Sequence, residues 1–327
     1  MNRPKLSGLT KTTRVVPRRA ALLLAAVAVG VIGVIFLAGS HAATPFVSAE
    51  PETGTRIGTA TTMADTTASG GSAVKFAAGT TVFQANCITK PSVCGYPDET
   101  NTGVPAGTVL TNSGSITVTQ AGSVIENKNI TGQVVIRANN VTIRNSRLTS
   151  GDYYPIDNNN GNTGLLVEDT EIHGTNTDVT SLMSFTNYTA RRVNIWGGAD
   201  GFKADSNVTI EDSYIHDLAV SASSHNDGIQ TTGGSNVTVR HTTCKLSTFV
   251  GANACIQMGT EGGPNSNWLV ENNLMDGGGW TINSGTQNST MRYLNNRFTR
   301  NAGYGVGHPS GSVWTGNYYD NNGEVIN

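Results

Sequence analysis

One nine-residue phrase returns along this chain at intervals too short for a globular domain. Asn140-Val-Thr-Ile-Arg-Asn-Ser-Arg-Leu148 comes back as Gly164-Leu-Leu-Val-Glu-Asp-Thr-Glu-Ile172 and as Asn207-Val-Thr-Ile-Glu-Asp-Ser-Tyr-Ile215. It returns again as Asn236-Val-Thr-Val-Arg-His-Thr-Thr-Cys244 and Asn267-Trp-Leu-Val-Glu-Asn-Asn-Leu-Met275, with looser copies ending at Ile130, Ile195, Phe298 and Tyr319. The steps between these nine anchors are 18, 24, 23, 20, 29, 31, 23 and 21 residues. A period of about 20–30 residues means stacked structural units, each burying its apolar face on the next.

Within a copy, Val208 and Ile210 alternate with Thr209 and Glu211, the period of a half-buried strand. Asn145, Asp169, Asp212, His241, Asn272 and Asn295 follow at a fixed place. Asn and Asp tolerate left-handed backbone, so this reads as a column of turns whose amides could bond from rung to rung. A second short strand follows each anchor, as in Asp200-Gly-Phe-Lys-Ala204, Asp227-Gly-Ile-Gln-Thr231 and Ala254-Cys-Ile-Gln-Met258. Two or three strands per turn, each pairing with its copy above and below, describe an all-β parallel β-helix of roughly nine coils over residues 108–327. Propeller blades need about 40 residues or more, and sandwiches do not repeat a phrase so literally. At about 4.8 Å per coil the rod would be about 40 Å long.

The first 43 residues are of another kind. Ala20 to Ala38 is an apolar run behind a basic N-terminus, and Ser40-His41-Ala42 suits cleavage. A cleaved signal peptide and a transmembrane anchor over residues 20–38 both fit. Either places the remainder outside the cytoplasm, extracellular or at the cell surface. Beyond position 40, 15 basic residues face 23 acidic ones, a net of −8. That balance disfavours nucleic acid or an anionic membrane surface as partner, leaving the N-terminal segment as the one membrane contact. Residues 44–84 carry Ser48-Ala-Glu-Pro-Glu-Thr-Gly54 and Asp65-Thr-Thr-Ala-Ser-Gly-Gly-Ser-Ala-Val-Lys-Phe76. They resemble the opening hairpin of jelly-roll carbohydrate-binding modules, but are too short for a whole module and read as a stalk. Residues 85–107 form a linker. The four cysteines, Cys87, Cys94, Cys244 and Cys255, suit disulfides in an exported chain. Cys87–Cys94 would close a short loop and Cys244–Cys255 the base of a long one, although three connectivities are open.

Chemistry is expected where the period lapses, at the 29- and 31-residue coils. Aligning the second strands on Phe202, Ile229, Ile256, Ile282 and Val306 makes a column of Lys203, Gln230, Gln257, Asn283 and Gly307. A parallel column holds Asp200, Asp227, Ala254, Trp280 and Tyr304. Asp200 and Asp227, one coil apart, would be close like charges. Such a pair must share a proton, bind a cation or take a basic neighbour. Lys203 is at hand, and so is calcium, which prefers oxygen ligands. His225 stands two residues before Asp227. Plain turn roles for these aspartates, and for His173 and His216, are the competing readings. Trp280, Tyr304, Trp314, Tyr318 and Tyr319 could stack on sugar rings, with Tyr319 better placed as core or cap.

Over residues 108–327 the coil pattern, with Gly198-Ala-Asp-Gly-Phe-Lys203 and His225-Asn-Asp-Gly-Ile-Gln230, resembles the right-handed parallel β-helix superfamily of pectate lyases and polygalacturonases. The resemblance implies a polysaccharide lyase acting on an acidic polysaccharide or cell-surface glycan. Asp200 and Asp227 would be Ca²⁺ ligands, Lys203 or His225 the base of a β-elimination, and Gln230, Gln257 and Asn283 substrate-binding. The chain departs from the hydrolase pattern, since Asp-Gly-Ile is followed by Gln230 and not by Asp. A non-catalytic surface adhesin or glycan-binding rod, and a glycoside hydrolase with two carboxylates, are the alternatives.

Overall fold

The structure is a computed structural model that describes residues 60–64, 66, 67, 71–76, 83–158, 161–221, 224–246 and 251–327. The apolar run expected to be a signal peptide or an anchor, residues 20–38, and the Ala-Glu-Pro-Glu phrase lie outside these residues. Among the described residues no helix is long and apolar enough to cross a membrane. The chain divides into two units, residues 1–81 and 82–327. In the first, Ala60–Ala64 and Ser72–Phe76 pair antiparallel, Ala60 opposite Phe76 and Ala64 opposite Ser72.

The second unit is a parallel β-helix. Three strands per coil stack into parallel sheets of eight, nine and ten strands. All nine anchors lie in one register column of the ten-stranded sheet, Ile130–Leu148–Ile172–Ile195–Ile215–Cys244–Met275–Phe298–Tyr319. In the nine-stranded sheet the column is Ile125–Ile143–Val167–Ala190–Ile210–Val239–Val270–Tyr293–Trp314. The eight-stranded sheet contributes Ile116, Val134, Ile156, Met183, Phe202, Ile229, Ile256 and Ile282. These three columns pack together as one core. Each apolar position in the repeat is a seat in that core, which is why the phrase recurs. The last copy of the second strand, at 304–308, keeps only a bridge between Gly305 and Trp280.

The turn column takes left-handed backbone as expected, from Asn145 (φ 49°) and Asp169 (φ 49°) to Asn272 (φ 53°) and Asn295 (φ 54°). Arg192 occupies the same place in its coil (φ 51°), where a longer side chain is disfavoured. Its guanidinium is held by both oxygens of Asp169, at 2.6 Å each. The rung-to-rung amide bonds form elsewhere. One ladder runs through Asn187, Asn207, Asn236 and Asn267 at the start of the phrase, at 3.0, 3.0 and 2.9 Å. Another is buried one residue past the turns, Asn273 to Asn296 to Asn317, at 2.9 and 3.0 Å. There the side chain points into the bend and satisfies backbone groups the strands leave open. The Asn296 amide donates to the Val270 carbonyl at 2.8 Å, and its oxygen accepts from the Asn273 N–H at 3.1 Å.

His173 and His216 are strand residues and not turn residues. They lie on Glu171–Gly174 and Tyr214–His216 and stack on Trp196, with ring centroids 5.0 and 5.5 Å apart. Trp314, Tyr319 and Ile326 pack against the last core residues. The Trp314 indole donates to the Ile326 carbonyl at 2.7 Å. Residues 83–107 form a strap along the ten-stranded sheet. Cys87 N–H and Ile88 N–H donate to the Asp320 carboxylate at 3.0 and 3.1 Å. Farther on, Gly103 N–H reaches the Arg192 carbonyl at 2.8 Å. Tyr96 and Cys87 cover the outward Leu274. The disulfides are Cys87–Cys94 and Cys244–Cys255. The second ties the anchor column of the ten-stranded sheet to the eight-stranded sheet.

Candidate functional site

The eight-stranded sheet brings the sequence-selected residues together. Its strands Asp200–Lys203, Asn226–Thr231, Ala252–Met258 and Ile282–Asn283 are neighbours. Lys203 pairs with Gln230, Gln230 with Gln257, and Gln257 with Asn283. In the parallel column Asp227 pairs with Ala254, but Trp280 pairs with Gly305 and not with Tyr304. The irregular last coil shifts the register there by one residue.

The Asp-Gly phrase has a packing cause. A Cβ on Gly201 would lie 2.4 Å from the Gly228 carbonyl oxygen. A Cβ on Gly228 would lie 2.7 Å from Cys244 Sγ and 2.9 Å from the Cys255 carbonyl oxygen. Both glycines therefore face inward where a neighbouring strand and the disulfide leave no room. The following Phe202 and Ile229 also face the core, so the first and fourth residues of each phrase meet on the outer face. Lys203 Nζ donates to Asp200 Oδ2 at 2.7 Å, and Gln230 Nε2 donates to Asp227 Oδ2 at 3.0 Å.

The two aspartates are linked across the coils. Asp227 N–H donates to Asp200 Oδ1 at 2.9 Å. Asn253 Nδ2 donates to Asp227 Oδ1 at 2.9 Å and to Gln257 Oε1 at 3.0 Å. The cluster is sealed, with Asp200 5%, Lys203 7% and Asp227 0% exposed. Burial, and then the charge of Asp200, pushes the Asp227 carboxyl well above the usual carboxylate range. Burial also raises Asp200, against the opposing pull of Lys203. The like-charge pair is thus met by a basic neighbour on Asp200 and by amide donors on both oxygens of Asp227.

Calcium takes about six to eight oxygen ligands. Here each of the four carboxylate oxygens already faces an N–H donor or the Lys203 ammonium. No cluster of three or more His, Cys, Asp or Glu that could hold a metal occurs among the described residues. This donor set does not fit calcium.

His225 stands apart from the sealed cluster. It is exposed and lines a cavity of about 250 Å³ with Ser224, Asn253, Gly279 and Tyr304. Asn283 lines a larger one, about 470 Å³, with Trp280, Ser284, His308 and Pro309. Trp280 and Tyr304 are 40% and 64% exposed, with ring centroids 5.6 Å apart. Trp314 and Tyr319 serve the core instead, and Tyr318 packs on Phe83 at 5.9 Å.

Sequence reasoning missed Asn253 and the aromatic group Tyr153, Tyr154 and Phe185. Tyr153 is exposed, and the ring of Tyr154 meets Tyr153 at 4.6 Å and Phe185 at 5.1 Å. Burial pushes the Tyr154 hydroxyl up to about 12, and the charges of Asp157 and Asp200 add to the shift. Tyr154 lies two residues before the strand Ile156–Asp157, at a place of the repeat that carries no continuous aromatic column. Asn253 lies just before the aligned positions and gave no signal. No protein family, no curated protein and no solved structure matches this chain.

Proposed function

We propose that the outer face of the eight-stranded sheet binds a polysaccharide, and that the protein is an exported glycan-binding rod. One observation carries this reading. An in-register column of partly exposed Gln230, Gln257 and Asn283 lies beside the exposed rings of Trp280 and Tyr304, with Tyr153 exposed ahead of the strand Ile156–Asp157 in the same sheet. Exposed rings beside convergent amides suit sugars, which present apolar ring faces and hydroxyl edges. The parallel stack repeats its polar groups at about 4.8 Å, so a polymer could be met over several coils. Two disulfides support an oxidising, extracytoplasmic setting.

Elimination on a uronic-acid polymer needs a base and a cation facing the sugar carboxylate. His225 is exposed enough for the first role, but Lys203 is turned onto Asp200 and sealed. Hydrolysis needs two carboxylates that reach the substrate, and Asp200 and Asp227 do not. The test is retention of the full-length protein by a polysaccharide panel. Trp280→Ala is expected to weaken retention about tenfold. Retention unchanged by that substitution would remove the assignment. Release of unsaturated, ultraviolet-absorbing ends from a polyuronate would restore the lyase reading.

A further inference from the structure

We infer that the polysaccharide bound on this face is uncharged, a hexose or pentose polymer and not a polyuronate, an inference that rests on the glycan-binding reading above. Among the described residues, the strands of the eight-stranded sheet carry three acidic side chains, Asp157, Asp200 and Asp227, and one basic one, Lys203. Lys203 is engaged by Asp200 at 2.7 Å and buried. Arg137, just past the strand Val134–Ile136, faces Asp157 at 3.8 Å. Lys203 is thereby withheld from a sugar carboxylate, and Arg137 lies beside a strand three places beyond Lys203's in the sheet, away from Gln230, Gln257 and Asn283. Such a carboxylate is ordinarily recognised by a guanidinium or ammonium aimed at it.

The face offers carboxamides instead. Gln230 gives its amino group to Asp227 and keeps its carbonyl oxygen uncommitted among the described residues. Gln257 accepts from Asn253 and keeps its amino group. Asn283 opens on the cavity beside Trp280 and His308. A hydroxyl both donates and accepts, so it can pair with either half of an amide. A carboxylate only accepts, and among the described residues finds no uncommitted ammonium or guanidinium beside the Gln230, Gln257 and Asn283 amides. Within the sealed cluster Asp200 and Lys203 form an ion pair, and both oxygens of Asp227 are taken by amide donors. Residues beyond position 40 carry a net of −8, which adds long-range repulsion of a polyanion.

The experiment is affinity electrophoresis of the full-length protein in xylan, mannan and β-glucan, and in polygalacturonate and alginate, at low and high salt. We expect retardation by at least one neutral polymer, changed less than about twofold by salt and weakened about tenfold by Trp280→Ala. Gln257→Lys is expected to weaken that binding and to raise polyuronate affinity about fivefold at low salt. Wild-type binding that is tighter to a polyuronate, and lost in Trp280→Ala, overturns the inference and leaves the glycan face standing. No retardation by any polymer overturns both. A thermal midpoint for each variant within a few degrees of wild type confirms that the comparison is between folded proteins.

Discussion

Arg191 donates its Nε to Glu211 Oε1 across adjacent coils at 2.6 Å. On the other side Arg240 donates its Nε to the same carboxylate at 2.8 Å. The pair belongs to a longer series. Glu126, Arg144, Glu168, Arg191, Glu211, Arg240 and Glu271 occupy one register column of the nine-stranded sheet, alternating in sign at every coil. A slip by one coil would oppose like charges along its whole length, so the column specifies the stacking order as well as stabilising it.

Swapping one pair should therefore fail. In an isolated ion pair, Arg191→Glu combined with Glu211→Arg would restore much of the stability each single change removes. Here the swapped residues face Glu168 on one side and Arg240 on the other. We expect the double variant to be no more stable than the worse single variant by urea unfolding. Recovery of more than half the loss would show that the pair acts alone.

Glu211 also sets an acid limit. Burial works against its charge, but the hydrogen bonds from Arg191 and Arg240 outweigh it and hold the carboxyl below its usual range. Its contribution is present above the unfolded value, about 4.3, and is lost as pH falls through the lower folded value. Glu211→Gln should cost about 1–3 kcal/mol at pH 7. It should also flatten the fall in stability below about pH 4. Parallel acid profiles for the two proteins would contradict this.

Asp227 has the opposite linkage. Its folded carboxyl is raised above the unfolded value of about 3.9. The folded state then holds more protons, and stability falls as pH rises from that value towards the folded one. Asp227→Asn removes the titration, keeps the Asn253 contact on its carbonyl oxygen, and needs only the Gln230 amide to turn over so that its carbonyl meets the new amino group. We expect stability at neutral pH equal to or above wild type, with a flatter profile above about pH 4. A marked loss at pH 7 would show that the carboxylate is needed as an anion.

Two glycines give a contrast free of charge. Gly228→Ala forces a methyl against the Cys244 sulfur and the Cys255 carbonyl, and should cost about 1–3 kcal/mol. Gly114→Ala meets nothing within 4 Å and needs no left-handed backbone, so it should be neutral or stabilise by up to about 1 kcal/mol. Equal effects in denaturant unfolding would argue against the close approach at Gly228.

The anchors and the inward columns were legible because each is an apolar residue at a fixed place in a repeated phrase. The alignment of Lys203, Gln230, Gln257 and Asn283 followed from the same spacing, since parallel stacking turns sequence offset into spatial register. The sign alternation from Glu126 to Glu271 was present at one position of the phrase, but shows only when successive copies are read as neighbours. Asn253 and the seal over Asp227 were not legible. They depend on side-chain directions in the two long coils, where the repeat lapses. The pairing of Lys203 with Asp200, and of Gln230 and Asn253 with Asp227, is set by hydrogen-bond geometry that spacing does not contain.

A stack in which each coil touches only the next could in principle lose its last coil without disturbing its first. The strap removes that independence. Cys87 and Ile88, ahead of the first coil in sequence, are held by the carboxylate of Asp320 in the last, a separation of 233 residues for Cys87. The segment seats only when the final coil is formed, and fraying of that coil releases it along with the cover over Leu274. The rod is therefore coupled from end to end, and should unfold as one cooperative body where an open stack would peel coil by coil.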